Sequence, residues 1–354
     1  MWKYNKGEWS EIYTFAYLLG SGVLHAADKD LNRMEEIYFP VIKIIREETA
    51  GNPIDYHTGE VIRIYRGEEL LKEVDKSEFD GIVADLLEKI PQGSRAFEIP
   101  EAEEFFEGVY CTKVKANSTK KEDITVQLHD IHTGISPVCG FSIKSYLGAN
   151  PTLINPGENT NFVYVINGCT EELKNTVNAI NTRTKLIDKM NALVSAGCTF
   201  TLTNSISAQF TENLQFIDTI MPTFLNYMVL YTYQYGLRHT KDIIGKMKEL
   251  NPLGFTNPEM YTYKFKKLLA AWALGLTPER TDWLGTEDAN GGYITVKADG
   301  DVVCYHLYNR TDFESYLFDY TYFDKPSTSK YHYFDIYEED GVYKVKLCLQ
   351  VRFR

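Results

Sequence analysis

Residues 122–130 read Glu-Asp-Ile-Thr-Val-Gln-Leu-His-Asp, and residues 139–146 read Cys-Gly-Phe-Ser-Ile-Lys-Ser-Tyr. Within these segments, residues 124–128 and residues 139–146 alternate between apolar and polar side chains with period two, which is typical of a β-strand with one buried face. The connection between the segments contains Gly134 and Pro137, and both residue types favour turns. The two segments therefore predict an antiparallel hairpin with a polar face.

The register of this hairpin decides which aspartate lies beside Lys144. Residues 124, 126 and 128 form the apolar face of the first strand, so Asp123 faces the other way, whereas Asp130 has the parity of the apolar set. A turn centred near Gly134 would pair residue 123 with about residue 146 and residue 130 with about residue 139. We therefore expect Asp123 beside Lys144, and Asp130 about five residues along the strand, roughly 17 Å away at about 3.3 Å per residue.

A carboxylate and a lysine on adjoining strands can support phosphodiester hydrolysis. The reaction requires an activated water, cations against the developing negative charge, and a group that handles the proton. Here the candidates are Asp123 on the first strand and Ser142-Ile143-Lys144 on the second. From the hairpin alone, a half-exposed ion pair between Asp123 and Lys144 is the favoured interpretation.

The rest of the chain shows helical and strand patterns in alternation. Apolar residues at helical spacing predict helices at residues 6–20, 76–90 and 171–196, and strand patterns occur at residues 161–166 and 199–203. Residues 207–276 are mostly helical, and strand patterns then recur at residues 291–296, 302–308 and 342–353. We predict an α/β (α+β) protein with a mixed sheet flanked by helices, divided into a core with an inserted segment (1–205), a helical region (206–285) and a β-rich region (286–354).

Composition limits the classes of function. A net charge of −12 over 354 residues argues against nonspecific coating of nucleic acid, because such binding depends on Lys and Arg neutralising phosphates. Residues 113–121 concentrate positive charge before the hairpin, and we interpret them as a solvated loop.

The six scattered cysteines predict buried thiols, and the longest apolar run, near residues 268–276, is too short to span a bilayer. With no signal-peptide pattern after Met1, we expect a cytoplasmic protein without membrane association.

The hairpin resembles the catalytic hairpin of the PD-(D/E)xK nucleases. Residues 121–124 (Lys-Glu-Asp-Ile) followed by residues 140–145 (Gly-Phe-Ser-Ile-Lys-Ser) match its Asp-to-(D/E)xK pattern, with Ser142 replacing the usual acid. Some restriction enzymes of that superfamily also have SxK and supply the acid from a helix. Many of these nucleases have a first helix with a glutamate four residues after a glycine, and Glu11 matches that position. The resemblance thus implies that Glu11 replaces the missing acid, with Glu8, Glu158 and Glu171 as weaker alternatives.

A longer resemblance, over nearly the whole chain, is to the HpaII type of restriction endonuclease. It is carried by residues 5–13 (Asn-Lys-Gly-Glu-Trp-Ser-Glu-Ile-Tyr), 140–148 with 161–162, 291–294 (Gly-Gly-Tyr-Ile), 305–310 (Tyr-His-Leu-Tyr-Asn-Arg), 325–330 (Lys-Pro-Ser-Thr-Ser-Lys) and 346–353 (Lys-Leu-Cys-Leu-Gln-Val-Arg-Phe). Cys348 stands where the family leads us to expect Asn, and Tyr331 where it leads us to expect a more polar residue. These departures concern target specificity and not catalysis.

The resemblance implies a type II restriction endonuclease that hydrolyses double-stranded DNA, with CCGG as its target. It implies that Asp123, the backbone carbonyl of Ile143 and Glu11 bind Mg²⁺. Lys144 would orient the attacking water or stabilise the pentacovalent phosphate. Ser142 is the remaining residue of the implied catalytic site. The core at residues 1–205 would be the nuclease core, and the β-rich region would contribute to DNA recognition.

A polar segment in the β-rich region offers donors for phosphates or guanine edges. Its members are Lys325, Ser327, Thr328, Ser329, Lys330 and His332. An ordinary polar turn after Pro326 explains the same residues equally well. A palindromic target would be matched by a two-fold homodimer or by two encounters with a monomer, and the sequence leaves both open.

Two functions of other classes fit the same residues. The chain could be an inactive DNA-binding relative, since Ser142 removes one metal ligand. Ser142 and Lys144 could instead be the nucleophile and base of a metal-independent hydrolase. The second alternative is disfavoured because no strained, glycine-flanked turn or oxyanion pattern accompanies the serine.

Overall fold

The computed structural model describes residues 1–114, 122–205, 207–306, 309–331 and 333–354, with the backbone alone at Asn204 and Ser205. The charged segment at 115–121 and His332 of the expected DNA-binding segment lie outside the described residues. Contacts divide the chain into two compact units. Unit 1 comprises residues 1–151, 273–275 and 287–316, and unit 2 comprises residues 152–272, 276–286 and 317–354.

The first part of the chain contains three helices and nine strands among the described residues. In order they are β1 (Tyr4–Asn5), α1 (Lys6–Ser21), β2 (Val23–Ala27), β3 (Arg33–Arg46), β4 (Ile54–His57), β5 (Val61–Arg66), β6 (Glu69–Asp75), α2 (Lys76–Gln92), β7 (Ala96–Phe97), α3 (Pro100–Gly108), β8 (Ile124–Leu128) and β9 (Val138–Ser145). The helices predicted at 6–20 and 76–90 and both strands of the hairpin are confirmed. Strands β2 to β6 were not among the sequence predictions.

The second part of the chain is helical in its middle and mixed at its end. It contains β10 (Thr152–Ile154), β11 (Asn161–Asn167), α4 (Glu171–Ala179), α5 (Lys185–Ser195), β12 (Thr199–Ser205), α6 (Ala208–Ile217), α7 (Met221–Gln234), α8 (Thr240–Leu250), α9 (Glu259–Leu274), β13 (Gly292–Val296), β14 (Val302–His306), α10 (Arg310–Tyr320), β15 (Thr321–Phe323), α11 (Thr328–Tyr331), β16 (Tyr337–Glu339), β17 (Val342–Cys348) and β18 (Val351–Phe353). The predicted α/β (α+β) class is confirmed, although helix α10 interrupts the region expected to be β-rich.

Helix α1 owes its start to a reciprocal cap. The Asn5 side chain accepts hydrogen bonds from the N–H groups of Gly7 and Glu8, and the Glu8 carboxylate accepts one from the Asn5 N–H. These bonds satisfy N–H groups that the first turn leaves without helical partners. The helix ends where Gly22 adopts a φ of 71°, a conformation that glycine adopts without steric cost.

A nine-stranded sheet forms the centre of unit 1. Its strand order is β2-β14-β13-β9-β8-β3-β4-β5-β6, and β2 also pairs with β3, so six of these strands form a closed ring of neighbours. Strand β9 lies between β8, which is antiparallel to it, and β13, which is parallel to it. The predicted mixed sheet is therefore confirmed, and the Ser142-Ile143-Lys144 strand lies within it, not at its edge.

The register of the hairpin differs from the expected one by four residues. Ile124 pairs with Phe141, and the Asp123 N–H donates to the Phe141 carbonyl over 2.8 Å, so position 123 faces position 142 and not 146. The cause is Asp130, whose carboxylate accepts the N–H groups of His132 at 2.8 Å and Thr133 at 3.2 Å. This local turn begins directly after Asp130, so the chain reverses earlier than Gly134 suggests.

Unit 2 contains two smaller sheets with strand orders β12-β11-β17-β16 and β10-β18-β15. Helix α7 is buried along most of its length, with Phe224, Leu225 and Met228 fully inaccessible. The Tyr164 hydroxyl on β11 donates to the Asn226 carbonyl of α7 over 2.8 Å. Unit 2 therefore has a hydrophobic core of its own.

The single long helix expected at residues 171–196 is wrong, because the structure has α4 and α5 there. Helix α4 ends at Ala179, Ile180 is extended, and residues 180–184 separate the two helices. The hydroxyls of Thr182 and Thr184 both donate to the Asp188 carboxylate. Such local side-chain bonds compete with helical hydrogen bonding, which explains the break.

The compact units cut the chain differently from the three expected segments. Residues 152–205, expected with the core, belong to unit 2, and β13 and β14, expected with the C-terminal region, belong to unit 1 because they extend its sheet. The functional roles given to the three segments stay predictions. The six cysteines are free, all but Cys169 are buried, and no helix in the described part of the chain could cross a membrane.

Candidate active site

The candidate site is built where the chain bends into β8. Strand β8 begins at Ile124, and Asp123 immediately precedes it. The Asp123 carboxylate Oδ2 accepts the Ile143 N–H over 2.6 Å and the Ser142 hydroxyl over 3.2 Å. Both donors belong to β9 and reach the same oxygen, so the carboxylate is anchored while its second oxygen is bound by neither of them.

The backbone of β9 adds an oxygen near this carboxylate. In an antiparallel ladder the N–H and C=O of one residue point to the same neighbouring strand. Because the Ile143 N–H points toward Asp123, the Ile143 carbonyl is directed to the same edge of β9, beyond the start of β8. A carboxylate and a peptide carbonyl are ligands that hard divalent cations prefer.

Lys144 and Ser142 share a face of β9 with Asp123. Strand alternation places residues 140, 142 and 144 on one face, and the pairing register puts Asp123 on that face as well. Lys144 is half-buried and lies two residues beyond the position across from Asp123, about 7 Å along the strand. Ser142 is fully buried, so its hydroxyl serves Asp123 and does not face solvent.

Neutral tyrosines flank the site on the side of β13. Tyr293 pairs with Ser142 across β9 and β13 and is fully buried. Burial raises the pKa of the Tyr293 hydroxyl well above its usual value, and the Tyr146 hydroxyl and the Asp123 carboxylate add to the effect. The hydroxyls of Tyr146 and Tyr316 lie 2.9 Å apart. Sequence reasoning did not assign these tyrosines to the site, although Tyr293 lies in one of the segments that carry the family resemblance.

Glu11 lies on α1 in the turn that contacts the end of β9. The hydroxyl of the preceding residue, Ser10, donates to the Ser145 hydroxyl over 2.8 Å, and Ser145 follows Lys144. Glu11 itself is half-buried. This contact places the first turns of α1 at the C-terminal end of β9, and the role of Glu11 as a ligand stays a prediction.

The other acidic candidates are placed differently. Glu8 caps α1, and Glu158 and Glu171 belong to unit 2, whereas Asp123 and Lys144 belong to unit 1. Asp130 is 4% exposed and forms the hairpin turn; the Thr133 side chain and the N–H groups of His132 and Thr133 lower the pKa of its carboxyl. Among the described residues, no three His, Cys, Asp or Glu side chains converge as a metal cluster.

The expected DNA-binding segment forms a short helical turn in unit 2. The Ser327 side chain accepts the Lys330 N–H over 3.4 Å at the start of α11, and the Ser327 and Ser329 hydroxyls lie 3.0 Å apart. Lys325 is half-buried, with its ammonium 5.7 Å from the Tyr233 ring centre. Burial and the nearby Arg238 lower the pKa of Lys325, and Asp324 opposes this change.

Two arginines that are far apart in the sequence lie beside this segment. Arg238 and Arg352 contact the Asp324 carboxylate at 2.7 Å and 3.4 Å, and Asp324 immediately precedes Lys325. Two guanidinium groups thus contact one carboxylate, and Lys325 follows that carboxylate directly in the chain, so basic groups are concentrated here on an acidic protein. Sequence reasoning missed Arg238 and did not single out Arg352, because only the fold brings positions 238, 324 and 352 together.

Comparison with known proteins adds an independent line of evidence. Residues 5–353 match the family described as HpaII restriction endonuclease. The chain is 34% identical over 355 aligned positions to the type II restriction enzyme HpaII of Haemophilus parainfluenzae, covering 99% of this chain and 98% of that protein. No solved structure matches the fold significantly. Family and relative both match from end to end, and the chain belongs to the HpaII family of type II restriction endonucleases.

Proposed function

We propose that the protein is a Mg²⁺-dependent endonuclease that hydrolyses double-stranded DNA at a short G·C palindrome, with CCGG as the target. The observation that carries the proposal is the anchored Asp123 carboxylate beside the Ile143 carbonyl, with Lys144 next on the same strand. Membership of a restriction endonuclease family supports DNA as the substrate. The choice of CCGG rests on the family resemblance of the sequence.

The donor set fits Mg²⁺, because its atoms are oxygens and include an anionic one. Asp123 and the Ile143 carbonyl would hold the cation. Glu11, in the part of α1 that contacts β9, would be the second acidic ligand. When bound, Mg²⁺ supplies positive charge that activates water and offsets the charge of the reacting phosphate. Lys144 orients the attacking water or stabilises the pentacovalent phosphate, and Ser142 is a positioning residue for Asp123.

DNA contacts are proposed for unit 2. Lys325, Ser327, Thr328, Ser329 and Lys330 present ammonium, hydroxyl and backbone donors around α11, and Arg238 and Arg352 add guanidinium groups next to Lys325. Such groups suit phosphate oxygens and guanine edges. His332 stays part of the predicted segment. A homodimer, or two successive encounters with a monomer, would allow one active site to act on each strand of a palindrome.

The metal-independent alternative is disfavoured by one observation. A serine nucleophile must reach its substrate, but Ser142 is fully buried and its hydroxyl donates to Asp123. A catalytically inactive relative would retain the basic groups of unit 2 and bind DNA without cutting it.

Digestion of plasmid DNA with and without EDTA tests these functions together. We expect discrete fragments in Mg²⁺, none in EDTA, and no cleavage of DNA that lacks CCGG. Sequencing the fragment ends would identify the target. Cleavage that persists in EDTA would point to the serine hydrolase, and binding without cleavage would point to the inactive relative.

A further inference from the structure

A polar pocket of about 290 Å³ opens in unit 2 beside the segment proposed to contact DNA. Helices α4, α5 and α11 and the chain before β16 contribute to its walls. One water molecule occupies roughly 30 Å³, so the pocket can admit a larger, hydrated group. The polar lining includes Asn181, Lys185, Lys189, Thr328, Ser329 and Asp335.

Lys189 is a buried cation whose partner lies at the surface. Its side chain is 6% exposed, and its ammonium donates over 2.8 Å to Asp335 Oδ1, whose side chain is 81% exposed. Lysine is rarely buried without a paired charge, and a solvated carboxylate contributes little to such a pair. An ammonium has three N–H donors, and among the described residues Asp335 accepts one of them. The ammonium therefore keeps capacity for a second anionic acceptor, which the pocket can admit.

Lys185 adds a second cation on the same helix face. It is half-buried and lies four residues before Lys189, so both side chains lie on one face of α5 and both line the pocket. Like charges at this spacing destabilise a helix. Two lysines and one aspartate give the lining a net charge of +1. An anion bound in the pocket would offset the repulsion between the lysines.

The walls of the pocket are held in place by hydrogen bonds. The Asn178 side chain on α4 accepts the Ile336 N–H and donates to the Ile336 carbonyl, both over 2.8 Å, which fixes the chain next to Asp335. Thr328 and Ser329 begin α11 and add hydroxyl groups to the same lining. A site that is ordered before its ligand arrives loses less entropy on binding. Ammonium and hydroxyl donors around one opening suit a phosphate group.

We infer that this pocket binds one backbone phosphate of the DNA substrate, with Lys189 as its buried cation. Lys185 and the hydroxyls of Thr328 and Ser329 add donors, and Asp335 is the competing anion that pairs with Lys189 while DNA is absent. Thr328 and Ser329 belong both to the pocket and to the segment proposed to contact DNA, which favours a DNA phosphate over a free phosphate ion. The inference rests on the proposed function and adds to it a contact that carries no sequence information.

Fluorescence anisotropy of DNA duplexes without Mg²⁺ tests the inference on the full-length protein. We expect Lys189→Gln to weaken binding of a CCGG duplex on the order of 10-fold, as loss of one charged hydrogen bond should. The slope of log affinity against log salt concentration should fall by about 1. A duplex that lacks CCGG should lose affinity by the same factor, because a phosphate contact does not read bases.

Asp335→Asn separates a DNA contact from a purely structural role. Lys189→Gln and Asp335→Asn break the same ion pair, so a structural role predicts that both change DNA affinity in the same direction or not at all. The inference predicts opposite directions, because Asp335→Asn removes the competing carboxylate and should tighten DNA binding. Lys248→Gln and Glu259→Gln are the matched controls for net charge, since that pair, at 2.9 Å, lies outside the pocket. The controls should bind DNA with an unchanged salt slope.

Duplexes with a single uncharged methylphosphonate linkage identify the phosphate. At the linkage that Lys189 contacts, loss of the charge should weaken wild-type binding and should cost Lys189→Gln nothing further, since the two changes remove the same interaction. If no linkage behaves in this way and inorganic phosphate at constant ionic strength releases the wild-type duplex, the pocket binds free phosphate and the inference is wrong.

The outcomes also separate the inference from the function on which it rests. A folded Lys189→Gln protein with wild-type affinity and salt slope overturns the phosphate site and leaves the function intact if the wild-type protein cuts CCGG DNA in Mg²⁺. A wild-type protein that neither binds nor cuts DNA overturns the function and the phosphate site together. Circular dichroism checks folding, and Lys185→Gln, at a half-buried position, undergoes the same measurements if Lys189→Gln is not folded.

Discussion

Asp123 and Asp130 differ in what their carboxylates do, although both flank the same strand. Asp123 is held against Ile143 and Ser142 of the lysine strand, whereas Asp130 closes the hairpin turn through His132 and Thr133. Strand parity predicted that Asp123, and not Asp130, shares the face of Ser142 and Lys144, but it did not predict the turn at Asp130. The register behind it was wrong by four residues, but an even shift leaves every side chain on its predicted face.

At the residue scale, we expect Asp123→Asn and Lys144→Ala to abolish cleavage while folding and DNA affinity are largely kept. Each variant removes a charge that the proposed reaction needs and leaves at that position a residue that the fold accommodates. Asp130→Asn should reduce the cleavage rate much less, because Asp130 stabilises the hairpin turn and is not part of the candidate site. Plasmid cleavage rates, with binding measured by fluorescence anisotropy, check the claim. An active Asp123→Asn enzyme together with an inactive Asp130→Asn enzyme would reverse the assignment.

Ser142→Ala should be tolerated much better than the Asp123 variant. The change removes one hydrogen bond to Asp123, worth about 1 kcal/mol or somewhat more because the acceptor is charged, and the Ile143 N–H still anchors the carboxylate. We expect a rate within about 10-fold of the wild-type rate, the factor that 1.4 kcal/mol represents. A fully inactive but folded Ser142→Ala protein would instead indicate a direct chemical role for the hydroxyl.

At the scale of elements, the Ser10–Ser145 hydrogen bond joins helix α1 to the strand that carries Lys144. If Glu11 binds the metal or orients the attacking water, Glu11→Gln should reduce the rate on the order of 100-fold and raise the Mg²⁺ concentration that half-maximal cleavage requires. A Mg²⁺ titration of cleavage by this variant checks the effect. Glu8→Gln is the control, because Glu8 serves the helix cap. A wild-type rate and metal dependence in Glu11→Gln would exclude the helix from the site.

Elements with one strong periodic pattern were predicted well, and those that depend on partners were not. Strand β8 has the predicted bounds because its alternation is regular over Ile124–Leu128. The break between α4 and α5 depends on side-chain bonds to Asp188, which periodicity does not reveal. The same limit applies to the candidate site, where parity placed Asp123 and Lys144 on one face but did not show that Tyr293 lies beside Ser142.

At the scale of the whole molecule, the acidic protein must bind an anionic polymer through a local cluster of cations. Lys325→Ala should weaken DNA binding and reduce the slope of log affinity against log salt concentration by about 1, if its ammonium neutralises one phosphate. Lys241→Ala is the matched control, since that ammonium is paired with Asp319 at 2.9 Å. Anisotropy of a short CCGG duplex without Mg²⁺ measures both. An unchanged slope in Lys325→Ala would remove Lys325 from the phosphate contacts.

The parallel pairing of β9 with β13 joins residues 141–145 to residues 292–296, so the two partners are about 150 positions apart along the chain. Strand β14 in turn pairs with β2 near the start. A ribosome adds roughly 5–20 residues per second, so a nascent chain spends many seconds with the lysine strand lacking its second neighbour. Unfinished or truncated chains thus lack Tyr293 and the strand that completes the site. The candidate site therefore has both neighbours of its lysine strand only after synthesis has passed residue 296.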